Sequence, residues 1–349
     1  MLHPPPKRNL LICFDAFGTL FRPTLPIEEQ YMLMARRHKL DGPSVTPAAL
    51  RTRFRSAFDA ASALWPNYGR GLGMASETWW RGVVVKTFKP LIRHGEGEVL
   101  ENELAPDVVR RFATREGYTA APGVGSTVKG NGGLLRRLKE GQGVGRVGRV
   151  VVGVISNSDE RVMSVLEDFG VRVAPVRFGL GEVKEEVKGG EYDVDFCCLS
   201  YDVGWKKPDI RIFKAAEGMA SEVAGEEVDD EGWVKVYVGN ELRKDVFAAR
   251  DAGWHGVLLG NPASLNREER KLTARWVDVS ARLQHCPPIE MVFPDRGVVP
   301  LGKVEWRPVT VMMPTLKPLV DYLVGNTGAR RGLGADDEEG MEGRGAGSS

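Results

Sequence analysis

The sequence is poor in cysteine, carries no surplus of either charge and has no long apolar run. Four cysteines occur in 349 residues, at Cys13, Cys197, Cys198 and Cys286, with no Cys-x-x-Cys pair among them. That excludes a disulfide-stapled secreted scaffold and points to reduced thiols buried as small apolar side chains. Lys and Arg number 48 against 47 Asp and Glu. Such a balance gives no broad footprint for nucleic acid or an anionic membrane, and neither is expected as a partner. No stretch reaches the roughly 18 consecutive apolar residues of a membrane span. The opening MLHPPPKRN lacks the apolar centre of a secretory signal. The expected compartment is therefore the cytoplasm or the nucleus, and no feature speaks to oligomeric state.

What is present is an alternation of short apolar runs and helical patterns. Residues 10–14, LLICF, form a continuous apolar run that ends in Asp15, as expected of a strand buried on both faces. Apolar residues then recur at helical spacing in 27–38, 47–61, 76–88 and 106–115. Thr46-Pro47 supplies the N-cap and first helical position of the second of these. About a hundred residues after the first strand are therefore expected to be almost wholly helical. Beyond Pro122-Gly123 the pattern predicts a helix over 127–139, a strand over 147–155 and a helix over 161–169. It then predicts a helix over 208–220 with Pro208 at its first position, a strand over 234–238, a helix over 245–251 and a strand over 256–259. Residues 309–324 are expected to add a last strand and helix. Residues 172–195 are expected to be a loop or ragged hairpin, 221–232 an acidic loop, and 326–349 a disordered tail.

This alternation predicts an α/β fold with a doubly wound parallel sheet. The helical block would stand above the carboxyl edge of that sheet, where such folds bind ligands. Polar residues recur at those strand ends: Asp15 and Thr19, Ser156 and Asn157, Lys206-Lys207-Pro208, and Asn240 with Asp245. Each alone has an ordinary explanation, as a helix cap, a surface lysine or a first-turn acid. Their order along successive strands is the informative feature.

That order, carried by FDAFGTL at 14–20, ISN at 155–157, KKPDIRIF at 206–213 and VGNELRKDVFAARDAGW at 238–254, resembles the haloacid dehalogenase (HAD) superfamily of hydrolases. LWPNYG at 64–69 and WWRGVVVKTF at 79–88 look like one branch of it. The resemblance implies a Rossmann-like core from residues 1–23 and 119–325, and an all-helical cap of the first type from 24–118. It implies Asp15 as a nucleophile that forms a covalent ester, with Thr19, Ser156 and Asn157 donating hydrogen bonds to the substrate and Lys207 holding the nucleophile. It further implies Mg²⁺, held by Asp15, the carbonyl of Phe17, Asn240 and Asp245.

Two residues depart from the phosphatase pattern of that family. Phe17 stands where those enzymes carry a second Asp that protonates the leaving oxygen. This is similar to the dehalogenase branch, in which a halide leaves without a proton. Asn240 replaces a direct metal-binding acid, so Mg²⁺ is expected to be held weakly. Against a dehalogenase, Phe213 stands where that branch has a Tyr, and Arg22, Arg36 and Arg37 are the available stand-ins for its cap arginine. Trp65, Tyr68, Trp79 and Trp80 are read as packing of the helical block or as lining of a pocket beneath it. Two functions follow. One is a hydrolase acting through Asp15 on a small phosphorylated or otherwise activated organic acid. The other is a degenerate relative that binds a ligand without turnover.

Overall fold

The run after Arg8 forms a central strand: Leu10 to Phe14 are all completely buried, as in a strand covered on both faces. The computed structural model describes residues 8–125, 133–142, 147–181, 183–188, 190–260, 265–273 and 310–324. Within these the strands are β1 (Arg8–Phe14), β2 (Phe21–Pro23), β3 (Tyr118–Ala120), β4 (Val147–Ser156), β5 (Phe196–Leu199), β6 (Trp233–Gly239), β7 (His255–Leu259) and β8 (Thr310–Met313). Six of them form one sheet in the order β5-β4-β1-β6-β7-β8, and every pairing in it is parallel. The fold is thus α/β with a parallel sheet. Apolar clusters cover both faces, one containing Leu10, Ile12 and Phe14 and the other Leu11, Cys13 and Tyr237.

Register sets the functional edge. Phe14 lies beside Val154 on one side and Val238 on the other. The residues that follow, Asp15, Ser156 and Asn240, therefore emerge at one rim of the sheet, beyond the carboxyl ends of adjacent strands.

Between β2 and β3 stands a block of helices: α1 (Ile27–Arg37), α2 (Pro47–Leu64), α3 (Ser76–Phe88) and a continuous helical stretch over 97–111. The Thr46 side chain accepts from Ala49 N at the start of α2, a capping bond typically contributing about 1 kcal/mol. Tyr31, Leu50, Val84 and Phe88 face the common core. The strands that bracket the block, β2 and β3, pair antiparallel, with Arg22 opposite Thr119. This short pairing carries no alternating pattern that a sequence reading could find.

Several expectations need correction. The helix expected from Pro208 begins at Arg211 and runs to Ala224, into the segment expected to be an acidic loop. Residues 206–210 instead form a turn containing a cis Lys207–Pro208 peptide. That turn is held because Asn157 bonds the Lys207 backbone, and Asp209 Oδ1 accepts from Arg211 N at 3.0 Å. Residues 172–195 are not a hairpin. The isolated bridges there, Val173 with Val194 and Arg177 with Cys197, are parallel, and Glu185–Lys188 makes a single helical turn. Asp193 organises the segment by accepting from Arg172 N and from the Arg136 and Arg172 guanidinium groups. The strand β5 went unread because FCCL is too short and too uniformly buried to show a period. Near residue 134 the helix is Leu134–Glu140; the expected residues 127–132, Cys286 and the tail 326–349 lie outside the described residues. Among the described residues no helix is long and apolar enough to cross a membrane.

Candidate active site

At the sheet rim, Lys207 is the hub. Its Nζ donates to Asp15 Oδ1 at 2.6 Å, Tyr237 OH at 2.7 Å and Asp245 Oδ1 at 2.7 Å, which uses all three donors of an ammonium. Tyr237 passes the chain on by donating to the Ile155 carbonyl at 2.8 Å. Lys207 is 4% exposed, Asp15 7% and Asp245 1%. Burial by itself pulls the lysine pKa down, but the two carboxylates outweigh it and hold the ammonium above its ordinary value. For Asp15, burial is the largest influence and Asp245 adds to it, while Lys207 opposes both. The net result lifts the carboxyl from 3.8 to about 6.

Asp245 is positioned by its own backbone neighbourhood. Its Oδ2 accepts from Glu241 N at 2.8 Å, at the opening of a helical stretch that starts at Leu242 rather than at Asp245 as expected. Gly239 makes room for this: a Cβ there would come within 2.4 Å of the Asp245 carboxylate. The residue acts on the lysine and on the turn, and does not line the cavity described next.

Above Asp15 lies a cavity of about 300 Å³ between the sheet rim and the helical block. Asp15, Ser156, Asn157 and Lys207 form its polar floor. Its walls are mainly rings, among them Tyr31, Phe54, Phe58, Tyr68, Trp80 and Phe112. Phe17 also lines it, with its ring edge-on to Phe21 at 4.9 Å and to Tyr118 at 5.6 Å. Of the four aromatics read as packing or lining, Tyr68 and Trp80 line the cavity. Trp79 is buried in a cluster within the helical block, with Trp65 packed against it. The block is tied down by its polar tips: Tyr68 OH donates to the Asn157 carbonyl at 3.0 Å, Trp80 Nε1 to Asp159 Oδ2 at 2.8 Å, and Ser76 Oγ to Glu160 Oε1 at 2.6 Å.

Not every expected site residue faces this cavity. Thr19 is 2% exposed and its hydroxyl donates to Asn240 Oδ1 at 3.3 Å, so the two residues engage each other. Neither Thr19 nor Asn240 lines the cavity. The Asn157 side chain is likewise committed, accepting from Lys207 N at 2.6 Å and donating to Lys207 O at 2.9 Å. Arg22, Arg36 and Arg37 are exposed and outside the cavity. The arginine that does line it is Arg161, unnoticed in the sequence because it looks like any first-turn helix residue. Its guanidinium stands 4.2 Å from the Trp80 ring centre. Asp159, fully buried, accepts from its Nε at 2.7 Å and its Nη2 at 3.0 Å.

The residues implied for Mg²⁺ do not fit a divalent ion. Among the described residues no three His, Cys, Asp or Glu side chains gather as a metal-binding group. The two carboxylates available, Asp15 and Asp245, are bridged by the Lys207 ammonium, and the carbonyl of Asn240 accepts from Thr19. Hard cations favour several converging charged oxygens, and here the lysine takes that place.

No protein-family profile matches the chain. It is similar to haloacid dehalogenase-like hydrolase domain-containing protein 3 of Bos taurus, at 29% identity over 259 residues, 73% of this chain and 84% of the other. With the protein of that name from Xenopus tropicalis it shares 31% identity over 152 residues, 44% of this chain and 70% of the other. A solved 2-haloacid dehalogenase from Pseudomonas syringae aligns over 76% of this chain and 99% of its own, at 17% identity and a TM-score of 0.42.

Proposed function

Because the chain belongs to the haloacid dehalogenase-like hydrolases, we propose that it hydrolyses a small activated organic substrate with Asp15 as nucleophile, and that the helical block serves as its cap. The observation that carries this reading is the 2.6 Å contact between Lys207 Nζ and Asp15 Oδ1 on the floor of a cavity of about 300 Å³. A lysine fixed beside a carboxylate at the floor of a cavity keeps one oxygen oriented while the other stays available to attack.

In the first step an Asp15 oxygen bonds to the electrophilic atom as the leaving group departs with its electron pair. Water then hydrolyses the ester, which restores the carboxylate and releases the hydroxylated product and one proton. Ser156, which lines the cavity floor, donates to the substrate in this reading. Lys207 balances the negative charge that moves from nucleophile to leaving group. Asn157 is a positioning residue, acting through the lysine backbone. Phe17 supplies no proton to the leaving group, which therefore has to be stable as an anion: a halide, an enolate, a phenolate or a carboxylate. Ordinary alkyl phosphates forgo the factor of about 10²–10⁴ that general acid–base help provides.

Asp15→Asn tests the reading. Hydrolysis across a panel of haloacids, aryl phosphates and acyl phosphates is expected to vanish while the fold is kept. Turnover surviving in that variant removes Asp15 from the chemistry.

A second reading, a ligand-binding relative without turnover, is favoured by the Thr19–Asn240 hydrogen bond together with Phe17 packed on Tyr118. It expects the unaltered protein to hydrolyse nothing in the panel above the rate of Asp15→Asn.

A further inference from the structure

The cavity has a second polar pole, distinct from its Asp15 floor. Arg161 gives Nε and Nη2 to Asp159, which leaves Nη1 uncommitted among the described residues. Tyr31 and Tyr118 also line the cavity, are 2% and 6% exposed, and their hydroxyls make no hydrogen bond among the described residues. Burial pushes both phenols upward in pKa, and the Arg161 charge partly counters it in each, so the three groups act within one electrostatic neighbourhood. Among the described residues none of these three donors is a buried atom left without a partner, so each opens onto the cavity, where a ligand or water meets it.

The charge balance of the cavity limits what that ligand can be. Lys207 answers Asp15 and Asp245, Arg161 answers Asp159, and Lys244 at the margin answers Glu241 at 2.8 Å. Among the described residues no cation lining the cavity is left in surplus, and the donor set does not suit a divalent metal. A phosphate dianion entering a ring-lined cavity would shed its hydration without a counter-charge. The rings themselves favour a flat apolar body: Tyr68 and Phe58 flank Trp80 at 5.9 and 5.8 Å between ring centres. A volume of about 300 Å³ is at the lower end of small-molecule sites.

We propose that the cavity receives an arene-sized organic molecule of at most one negative charge. Its flat body rests against Phe58, Tyr68 and Trp80, and an acceptor oxygen turns to Arg161, Tyr31 and Tyr118. The proposal rests on the hydrolase reading only in taking this cavity as the substrate site.

Calorimetric titration of the whole protein with 2-naphthoate, propionate and glycerol 3-phosphate tests it, in the wild type and in Asp15→Asn. The naphthoate is expected to bind at least about tenfold more tightly than either compact anion, with or without the Asp15 charge. Arg161→Gln and, separately, Phe58→Ala are expected to weaken it by about tenfold or more. Phe58 is half-buried and holds no hydrogen bond, so its variant keeps the test decisive if Arg161→Gln leaves Asp159 unpaired and fails to fold. Equal binding of naphthoate and propionate, tighter binding of glycerol 3-phosphate, or naphthoate binding unaffected in a folded variant overturns the proposal. Loss of hydrolysis in Asp15→Asn is a separate result, so the nucleophile and the arene site fail or stand independently.

Discussion

Asn157 and Lys207 are joined twice: the asparagine carbonyl oxygen accepts from Lys207 N at 2.6 Å and its amide donates to Lys207 O at 2.9 Å. The pair spans two loops fifty residues apart and fixes the base of the lysine whose tip holds Asp15. Asn157→Ala breaks both bonds and leaves backbone groups of a half-buried turn unpaired, a loss of about 1–3 kcal/mol. Thermal unfolding is expected at lower temperature, and any turnover is expected to fall through kcat with little change in KM. Asn157→Asp keeps the acceptor and recovers part of both.

The pH dependence follows from Asp15. The carboxyl titrates near 6, while Lys207, held above its ordinary pKa, stays charged throughout that range. Attack requires the carboxylate, so the proposed hydrolysis is expected to fall about tenfold per unit below pH 6. Stability runs the other way. A folded-state pKa above the unfolded value of 3.8 means that the folded protein holds a proton the unfolded chain releases. That contribution is full below 3.8 and is lost as pH rises through 6. The melting temperature of the wild type relative to Asp15→Asn is therefore expected to drop between pH 4 and pH 7.

Metal response is expected to separate this chain from the phosphatase pattern. With the Asp15–Asp245 gap filled by the Lys207 ammonium, millimolar Mg²⁺ is expected to leave the melting temperature unchanged. Asn240→Asp restores the carboxylate that the resemblance assigns to metal binding, and Phe17→Asp restores the proton donor of the phosphatase pattern. The double variant is expected to gain a saturable Mg²⁺-dependent rise. A rise of equal size in the wild type would contradict the fit drawn above.

Gly18 allows the loop after Asp15 to close. Its φ is +88°, and a Cβ there would stand 2.5 Å from Asn240 Nδ2. Gly18→Ala combines a left-handed backbone penalty with this clash, and a loss above about 1 kcal/mol is expected in chemical denaturation.

Much of this arrangement was legible in the residues. The run LLICF, the polar groups after each apolar strand and the helical spacing of 27–88 define a parallel sheet with helices over its carboxyl edge. Periodicity also foresaw the last strand and helix. What could not be read was direction. Thr19, Asn157 and Asn240 were found as polar residues at the rim, but only the folded structure shows that Thr19 and Asn240 turn to each other outside the cavity, and that Asn157, on its floor, is bonded to the Lys207 backbone. Arg161 was missed because its value depends on Asp159 and Trp80, the latter about eighty residues away in the chain. The start of the helix after Pro208 was misplaced because the Asn157 tie, a long-range contact, overrides the local preference of proline for a first helical turn.

The antiparallel pairing of Phe21–Pro23 with Tyr118–Ala120 makes the chain leave the sheet and come back at neighbouring points. To the strands beneath, nearly a hundred residues amount to one loop with its ends clasped. The order of the strands is thus independent of how long the block is, while its rings share the core with the sheet and its polar tips reach Asn157, Asp159 and Glu160.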